Sequence, residues 1–113
     1  MKIHIKSGSE GVEVVGLEGE LDFNSSPKIR LEFAGLVEKK PARILINLRK
    51  VNYLDSSGLA TFIELFQKVK RYGGKLVLFN LADAVRNVFE IAKLDSIFHL
   101  AKTEREAYVL IET

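Results

Sequence analysis

The sequence predicts an α/β domain with a mixed, mostly parallel sheet of four to five strands and about four helices. Two runs, at residues 44–46 and 76–79, are apolar without polar alternation, as in strands buried on both faces of a sheet. Segments with apolar residues at helical spacing follow both runs, which is typical of parallel strands joined by crossover helices. The complete predicted order is β-β-α-β-α-β-α-β-α, with short connections.

The N-terminal segment predicts a hairpin that leads into a first helix. Residues 2–6 alternate between apolar and polar side chains, as in a half-exposed edge strand. The turn-forming cluster Ser-Gly-Ser-Glu-Gly at 7–11 predicts antiparallel pairing with a second strand at 12–17. A polar loop at 18–27 follows, in which Ser26 is the expected N-cap and Pro27 the first helical residue.

Helical spacing and end signals define the four helices. The first is expected to bury Ile29 and Phe33 and to end before Pro41. The second begins near Ser57 and ends at the two glycines at 73–74. Its expected apolar stripe is Leu59, Phe62, Ile63, Phe66 and Val69. A third helix around 85–92, a short strand at 96–100 and a last helix with a capping box at Thr103 complete the order.

Composition narrows the classes of function. A chain of 113 residues fits one domain, residues 1–113, and the absence of cysteine excludes disulfides and thiolate metal sites. The N-terminal residues lack the apolar core of a signal peptide, and no run reaches membrane-spanning length. The net charge of +2 is small and mixed, which argues against nucleic acid as a partner. We therefore expect a cytoplasmic protein with neither membrane nor nucleic-acid contacts.

The segment Asp55-Ser56-Ser57-Gly58 is the strongest candidate site. It lies between a predicted strand and an amphipathic helix, where Ser or Asp normally serves as an N-cap. One capping side chain suffices, whereas this segment offers three. Gly58 in the first helical turn also costs about 0.5–1 kcal/mol relative to alanine. The local sequence therefore leaves two interpretations open: a helix cap alone, or a surface that another molecule approaches closely.

Enzymatic alternatives are weaker, so we expect no catalytic residues and no metal site. His4 and His99 lack metal-ligand spacing, and no Gly-x-Ser-x-Gly elbow is present. A triad through either histidine stays open, because triad residues converge only in the fold. Asp55 resembles a phosphate-accepting aspartate of response-regulator receivers. The first predicted strand, however, ends in Lys6-Ser7-Gly8-Ser9, which lacks the acidic residues that would hold the required cation.

Three segments resemble the STAS domain family, specifically the stand-alone bacterial anti-sigma-factor antagonists. They are residues 19–22, 51–59 and 73–78, of which the Asp-Ser-Ser-Gly segment is the most specific. The resemblance covers essentially the whole chain and implies a β-α superhelix around a four- or five-stranded sheet. One departure is Ala60, where the family often has a second small residue, frequently glycine.

The resemblance implies a regulator switched by phosphorylation. In the family, the serine after the aspartate is phosphorylated by an anti-sigma factor that is also an ATP-dependent serine kinase. The matching residue is Ser56, with Ser57 as the runner-up. The unphosphorylated antagonist binds this kinase, which then releases its sigma factor, and a serine phosphatase reverses the modification. ATP and Mg²⁺ belong to the kinase, so no cofactor is expected for this chain, and the free protein is expected to be a monomer.

The resemblance also implies a set of partner contacts, with Gly58 giving clearance to the kinase and Ser57 keeping the capping role. The expected contact residues are Asp22, Asn24, Ser25, Asp55, Ser57 and Gly58. Asp22 and Asn24 have an alternative role, since both types also shape turns. An alternative for the whole chain is a structural or regulatory subunit of a transport or stressosome-like assembly, without a phosphorylation switch.

Overall fold

The predicted order of strands and helices is confirmed over residues 1–8 and 11–113, which a computed structural model describes. The strands are β1 (Lys2–Ser7), β2 (Val12–Leu21), β3 (Arg43–Leu54), β4 (Lys75–Phe79) and β5 (His99–Ala101). The helices are α1 (Ser26–Glu38), α2 (Ser56–Arg71), α3 (Asp83–Ile91) and α4 (Glu104–Glu112). Ser9 and Glu10 of the predicted turn lie outside the described residues.

The five strands form one mixed sheet in the order β1-β2-β3-β4-β5. β1 lies at the edge and pairs antiparallel with β2, which confirms the predicted hairpin. The remaining neighbours, from β2 to β5, pair in parallel. Parallel neighbours require crossover connections, and α1, α2 and α3 provide them. None of the described helices combines the length and apolar character needed to span a bilayer.

Alternating side chains of β3 supply two apolar cores, one on each face of the sheet. Ile44 and Ile46 belong to the larger core, which also contains residues of α1, α2 and α3. Leu45 belongs to the smaller core, together with Ala107 and Ile111 of α4. All three β3 residues are fully buried, so the predicted central strand covered on both faces is confirmed.

The loop predicted to begin at Glu18 is wrong, because β2 continues to Leu21. The polar residues there stay in the strand because β2 keeps pairing with an equally long β3, as far as Leu21 beside Leu54. Two register shifts interrupt this pairing, and Gly19, with φ of +116°, lies at one of them. As a consequence, the carboxyl ends of β2 and β3 lie side by side.

Several predicted ends and faces also need correction. Ser26 is the first residue of α1, and its buried hydroxyl donates to the carbonyl of Asp22, while Ser25 takes the N-cap position. β5 begins at His99 and not at residue 96, because 96–98 lie in a turn. The apolar face of α2 is rotated toward Thr61 and Leu65, which are buried, while the predicted Leu59, Ile63 and Phe66 are partly buried.

The far end of α2 is fixed as the sequence predicts. Gly73 follows the helix in the left-handed region, with φ of +81°, and its N–H donates to Lys70 O at 3.1 Å. The Tyr72 hydroxyl donates to Pro41 O at 2.8 Å, and burial raises the pKa of Tyr72 above its ordinary 10.0. The hydroxyl therefore remains a donor at neutral pH and ties the end of α2 to the start of β3.

Candidate functional site

The candidate site forms where the carboxyl ends of β2 and β3 meet the first turn of α2. Leu21 and Leu54 are neighbours across the two strands, and the Asp55 N–H donates to Leu21 O at 3.3 Å. Residues 22–25, which connect β2 to α1 and are called the 22–25 loop below, therefore lie against the start of α2. The structure thus brings together the two segments that carry the predicted partner-contact residues.

Asp55 joins these two segments through both oxygens of its carboxylate. It is the N-cap of α2, and its Oδ1 accepts from the Gly58 N–H at 3.0 Å. Its Oδ2 accepts from the Phe23 N–H of the 22–25 loop at 3.2 Å. The capping role expected of Ser57 therefore belongs to Asp55, because only Asp55 has the extended backbone conformation of an N-cap.

The two serines differ in accessibility. Ser56 is the first residue of α2 and is exposed, and no group in the described part of the chain hydrogen-bonds its hydroxyl. Ser57 is partly buried, and its carbonyl accepts from the Thr61 hydroxyl at 3.0 Å. Ser56 thus presents a free nucleophilic hydroxyl at a helix N-terminus, where unpaired N–H groups and the helix dipole favour an added anion.

Gly58 is buried, so it does not provide the clearance for an approaching kinase that was expected from the sequence. The reason for a glycine at this position is packing within the domain. A Cβ at position 58 would lie 2.5 Å from Leu21 O and 2.6 Å from Leu54 Cδ1. Real Cβ atoms do not approach other atoms so closely. The glycine therefore allows the first turn of α2 to rest directly on the ends of β2 and β3.

Polar side chains of the 22–25 loop are used mainly to build the loop itself. Asp22 Oδ1 accepts from the N–H groups of Asn24 at 2.9 Å and Ser25 at 3.0 Å. Ser25 Oγ accepts from the Asp22 N–H at 3.0 Å and donates to Glu20 O at 2.8 Å. The alternative role given to Asp22, that it shapes the turn, matches these bonds, and Ser25 shares that role.

Phe23 is the residue that sequence reasoning missed. It lies between the loop-forming Asp22 and Ser25, and 75% of its surface is exposed. Its neighbour Asn24 is also exposed. The signal in the sequence was one aromatic residue in an otherwise polar segment, Asp-Phe-Asn-Ser, which local pattern alone does not place inside or outside.

The histidines do not extend this site. His4 lies on β1 opposite Gly16, and His99 begins β5 at the other edge of the sheet. In the part of the chain that the structure describes, residues 1–8 and 11–113, neither histidine forms a hydrogen bond with Ser56. In the same ranges, no group of three metal-ligating side chains could hold an ion. The site therefore consists of an exposed hydroxyl at the start of α2 beside the 22–25 loop, and neither histidine lies within hydrogen-bonding distance of that hydroxyl.

Comparison with known proteins identifies the relatives of this chain. A model of the STAS domain matches residues 5–107. The anti-sigma-B factor antagonist of Bacillus subtilis is 34% identical over 105 residues, which are 92% of this chain and 94% of that protein. The crystal structure of an anti-sigma factor antagonist from Mycobacterium paratuberculosis superimposes with a TM-score of 0.87 at 25% identity, covering 99% and 96% of the two chains.

A further solved structure shares the fold. The Bacillus cell fate determinant SpoIIAA, solved in its phosphorylated form, superimposes with a TM-score of 0.75, covering 97% of this chain and 99% of that one. At 22% identity this likeness demonstrates a shared fold. The sheet and four helices described above are therefore those of the STAS structures.

The packing of Gly58 predicts opposite effects of alanine at two helical glycines. In Gly58→Ala, the new Cβ must displace backbone of β2, so we expect a loss of about 1–3 kcal/mol in the free energy of unfolding. Gly35→Ala in α1 is the matched control, because a Cβ there meets nothing within 4 Å. It should gain about 0.5–1 kcal/mol from helix propensity. Urea unfolding measures both, and a gain at position 58 would contradict the packing argument.

The bridge made by Asp55 predicts a graded series of variants. Asp55→Ala removes both acceptors and should lower the free energy of unfolding by about 0.5–2 kcal/mol. Asp55→Asn keeps an oxygen for the Gly58 N–H but turns an NH₂ toward the Phe23 N–H, so it should lose less stability. Amide hydrogen exchange should then accelerate at both Phe23 and Gly58 in the alanine variant, and only at Phe23 in the asparagine variant. Unchanged exchange at Phe23 in both would show that the bridge does not hold the loop.

Proposed function

Since this chain belongs to the STAS domain family, we propose that it is an anti-sigma-factor antagonist switched by phosphorylation of Ser56. The carrying observation is the exposed Ser56 hydroxyl, which has no hydrogen-bond partner in the described residues and begins a 16-residue helix. The similarity to anti-sigma-B factor antagonists over nearly the whole length of both chains supports the class of regulator.

In this proposal the unphosphorylated chain binds an anti-sigma factor that is also a serine kinase. That binding frees a sigma factor, and it ends when the kinase transfers the γ-phosphoryl group of ATP to the Ser56 oxygen, with release of ADP and the hydroxyl proton. A serine phosphatase restores the hydroxyl by hydrolysis. ATP and Mg²⁺ are held by the kinase, and the cycle takes place in the bacterial cytoplasm.

The electrostatic effects of the phosphate within the domain are small and opposed. A phosphoserine adds about −1.5 to −2 charges near neutral pH. The dipole and free N–H groups of α2 favour such a charge by about 0.3–1 kcal/mol at an exposed site. The carboxylate of Asp55, the preceding residue, repels it. Because these effects are small and of opposite sign, and the Ser56 hydroxyl has no hydrogen-bond partner among the described residues to lose, we expect the fold to stay unchanged.

The switch therefore acts at the docked surface. A dianion at Ser56 must lose its hydration when a partner covers the start of α2, and a partner shaped for a hydroxyl offers no matching positive charge. A penalty of about 3 kcal/mol lowers affinity by a factor of about a hundred. A local change in charge is thus sufficient to end binding.

Phosphorylation is expected at a single serine. After incubation with ATP, Mg²⁺ and the anti-sigma factor serine kinase from the same genome, mass spectrometry should find one phosphate on the peptide that contains Ser56. Ser57→Ala is the matched control and should still be phosphorylated, because Ser57 is partly buried. Ser56→Ala should not be phosphorylated. Wild-type protein without phosphate at either serine would favour the alternative, an assembly subunit without a switch.

Phosphorylation should weaken binding without rearranging the domain. Protein carrying phosphoserine at position 56 should bind the kinase about a hundredfold less tightly than the unmodified protein in calorimetric titrations. Amide chemical shifts should change only around the start of α2 and the 22–25 loop. Equal affinities, or shift changes spread across the sheet, would contradict a local electrostatic switch.

A further inference from the structure

We propose that Phe23 is the apolar anchor by which the chain docks onto its protein partner beside Ser56. The inference rests on the proposed function and deepens it, because it names the partner as a protein with an apolar pocket next to the group that receives the Ser56 hydroxyl. It also distinguishes Asp22 and Ser25, whose side chains build the 22–25 loop, from Phe23, the apolar side chain that the loop presents.

The hydrogen bonds of the 22–25 loop hold its backbone in one shape. Asp22 and Ser25 bond to each other and to neighbouring backbone groups through four contacts of 2.8–3.0 Å. The Ser26 hydroxyl adds a bond to Asp22 O at 2.6 Å. Such a loop loses little conformational freedom when it is bound, so its contacts contribute more fully to affinity.

Phe23 is the apolar side chain that this framework leaves exposed. Three quarters of its surface is exposed, although an aromatic ring gains more than most side chains from leaving water. A single exposed apolar residue is ordinary on a protein surface. At position 23, by contrast, the backbone that carries the ring is held by the hydrogen bonds of the loop and by the bond from its N–H to Asp55, the residue that precedes the acceptor serine.

The bond from the Phe23 N–H to Asp55 Oδ2, at 3.2 Å, places the aromatic residue and Ser56 in one surface. A partner that covers the start of α2 closely enough for a phosphate on Ser56 to weaken its binding must also approach Phe23. The cores of protein–protein interfaces are enriched in aromatic residues and depleted in charge. Phe23 and the neutral Ser56 hydroxyl fit this pattern, and a phosphate at Ser56 breaks it.

The test compares two equally exposed apolar side chains. Leu31 on α1 is 76% exposed and lines a depression with Ser7 and Glu13, at the opposite end of β2 from the 22–25 loop. In titrations with the kinase that phosphorylates Ser56, Phe23→Ala should weaken binding about tenfold or more. Leu31→Ala should stay within about twofold of the wild type, and Phe23→Leu should recover much of the affinity because it keeps an apolar side chain.

Phosphorylation kinetics separate docking from chemistry. Because Phe23 makes no hydrogen bond to the reacting hydroxyl, Phe23→Ala should raise the KM of the kinase for this substrate and leave kcat unchanged. Circular dichroism melting checks that the variant folds, and Phe23→Leu provides a second substitution if the alanine protein is unstable.

The outcomes distinguish the anchor from the proposed function. Wild-type protein that is neither bound nor phosphorylated would refute the proposed function, and the anchor with it. If the wild-type protein binds the kinase and Phe23→Ala has the same Kd and KM as the wild type, the anchor alone is refuted. Loss of self-association in Phe23→Ala, with unchanged kinase affinity, would assign the ring to a second copy of the chain and likewise overturn the proposal.

Discussion

The carboxylate of Asp55 is the interaction on which the candidate site depends. Its two oxygens accept from N–H groups of Gly58 and Phe23, which belong to segments that only the folded sheet brings together. A serine or threonine could cap α2 with its single oxygen, but it could not also hold the loop. An asparagine could offer only one acceptor. The aspartate therefore sets the start of the helix and the position of the loop at the same time.

This bridge requires α2 to lie unusually close to the strands. Leu21 O accepts from the Asp55 N–H and lies 2.5 Å from the place where a Cβ of residue 58 would be. A larger residue at position 58 would push the first turn of α2 outward and stretch the contact between Asp55 and the 22–25 loop. The glycine that is costly for helix propensity is therefore the condition for the site's geometry.

The sequence predicts the central sheet well and the edges of the site poorly, for physical reasons. Strand β3 is recognisable because its buried run needs no knowledge of its neighbours. The extension of β2 to Leu21 depends on pairing with Leu54, a contact between residues far apart in the chain. The choice of Asp55 as the cap depends on backbone conformation, since three adjacent residues offered suitable side chains. The exposure of Phe23 could not be predicted either, because local sequence pattern does not indicate which side chains of a loop face solvent.

The distribution of hydrogen bonds explains how a modification at this site can leave the fold unchanged and still change the affinity for a partner. The side chains of Asp22, Ser25 and Asp55 hydrogen-bond within the domain, whereas the Ser56 hydroxyl and the Phe23 ring are exposed. A phosphate on Ser56 displaces no bond of the fold. The N–H groups of Phe23 and Gly58, which donate to the Asp55 carboxylate, also keep that carboxylate in place against the added charge. Under the proposed function, the free-energy change therefore falls on the bound state, where a partner must cover both the phosphate and the aromatic ring.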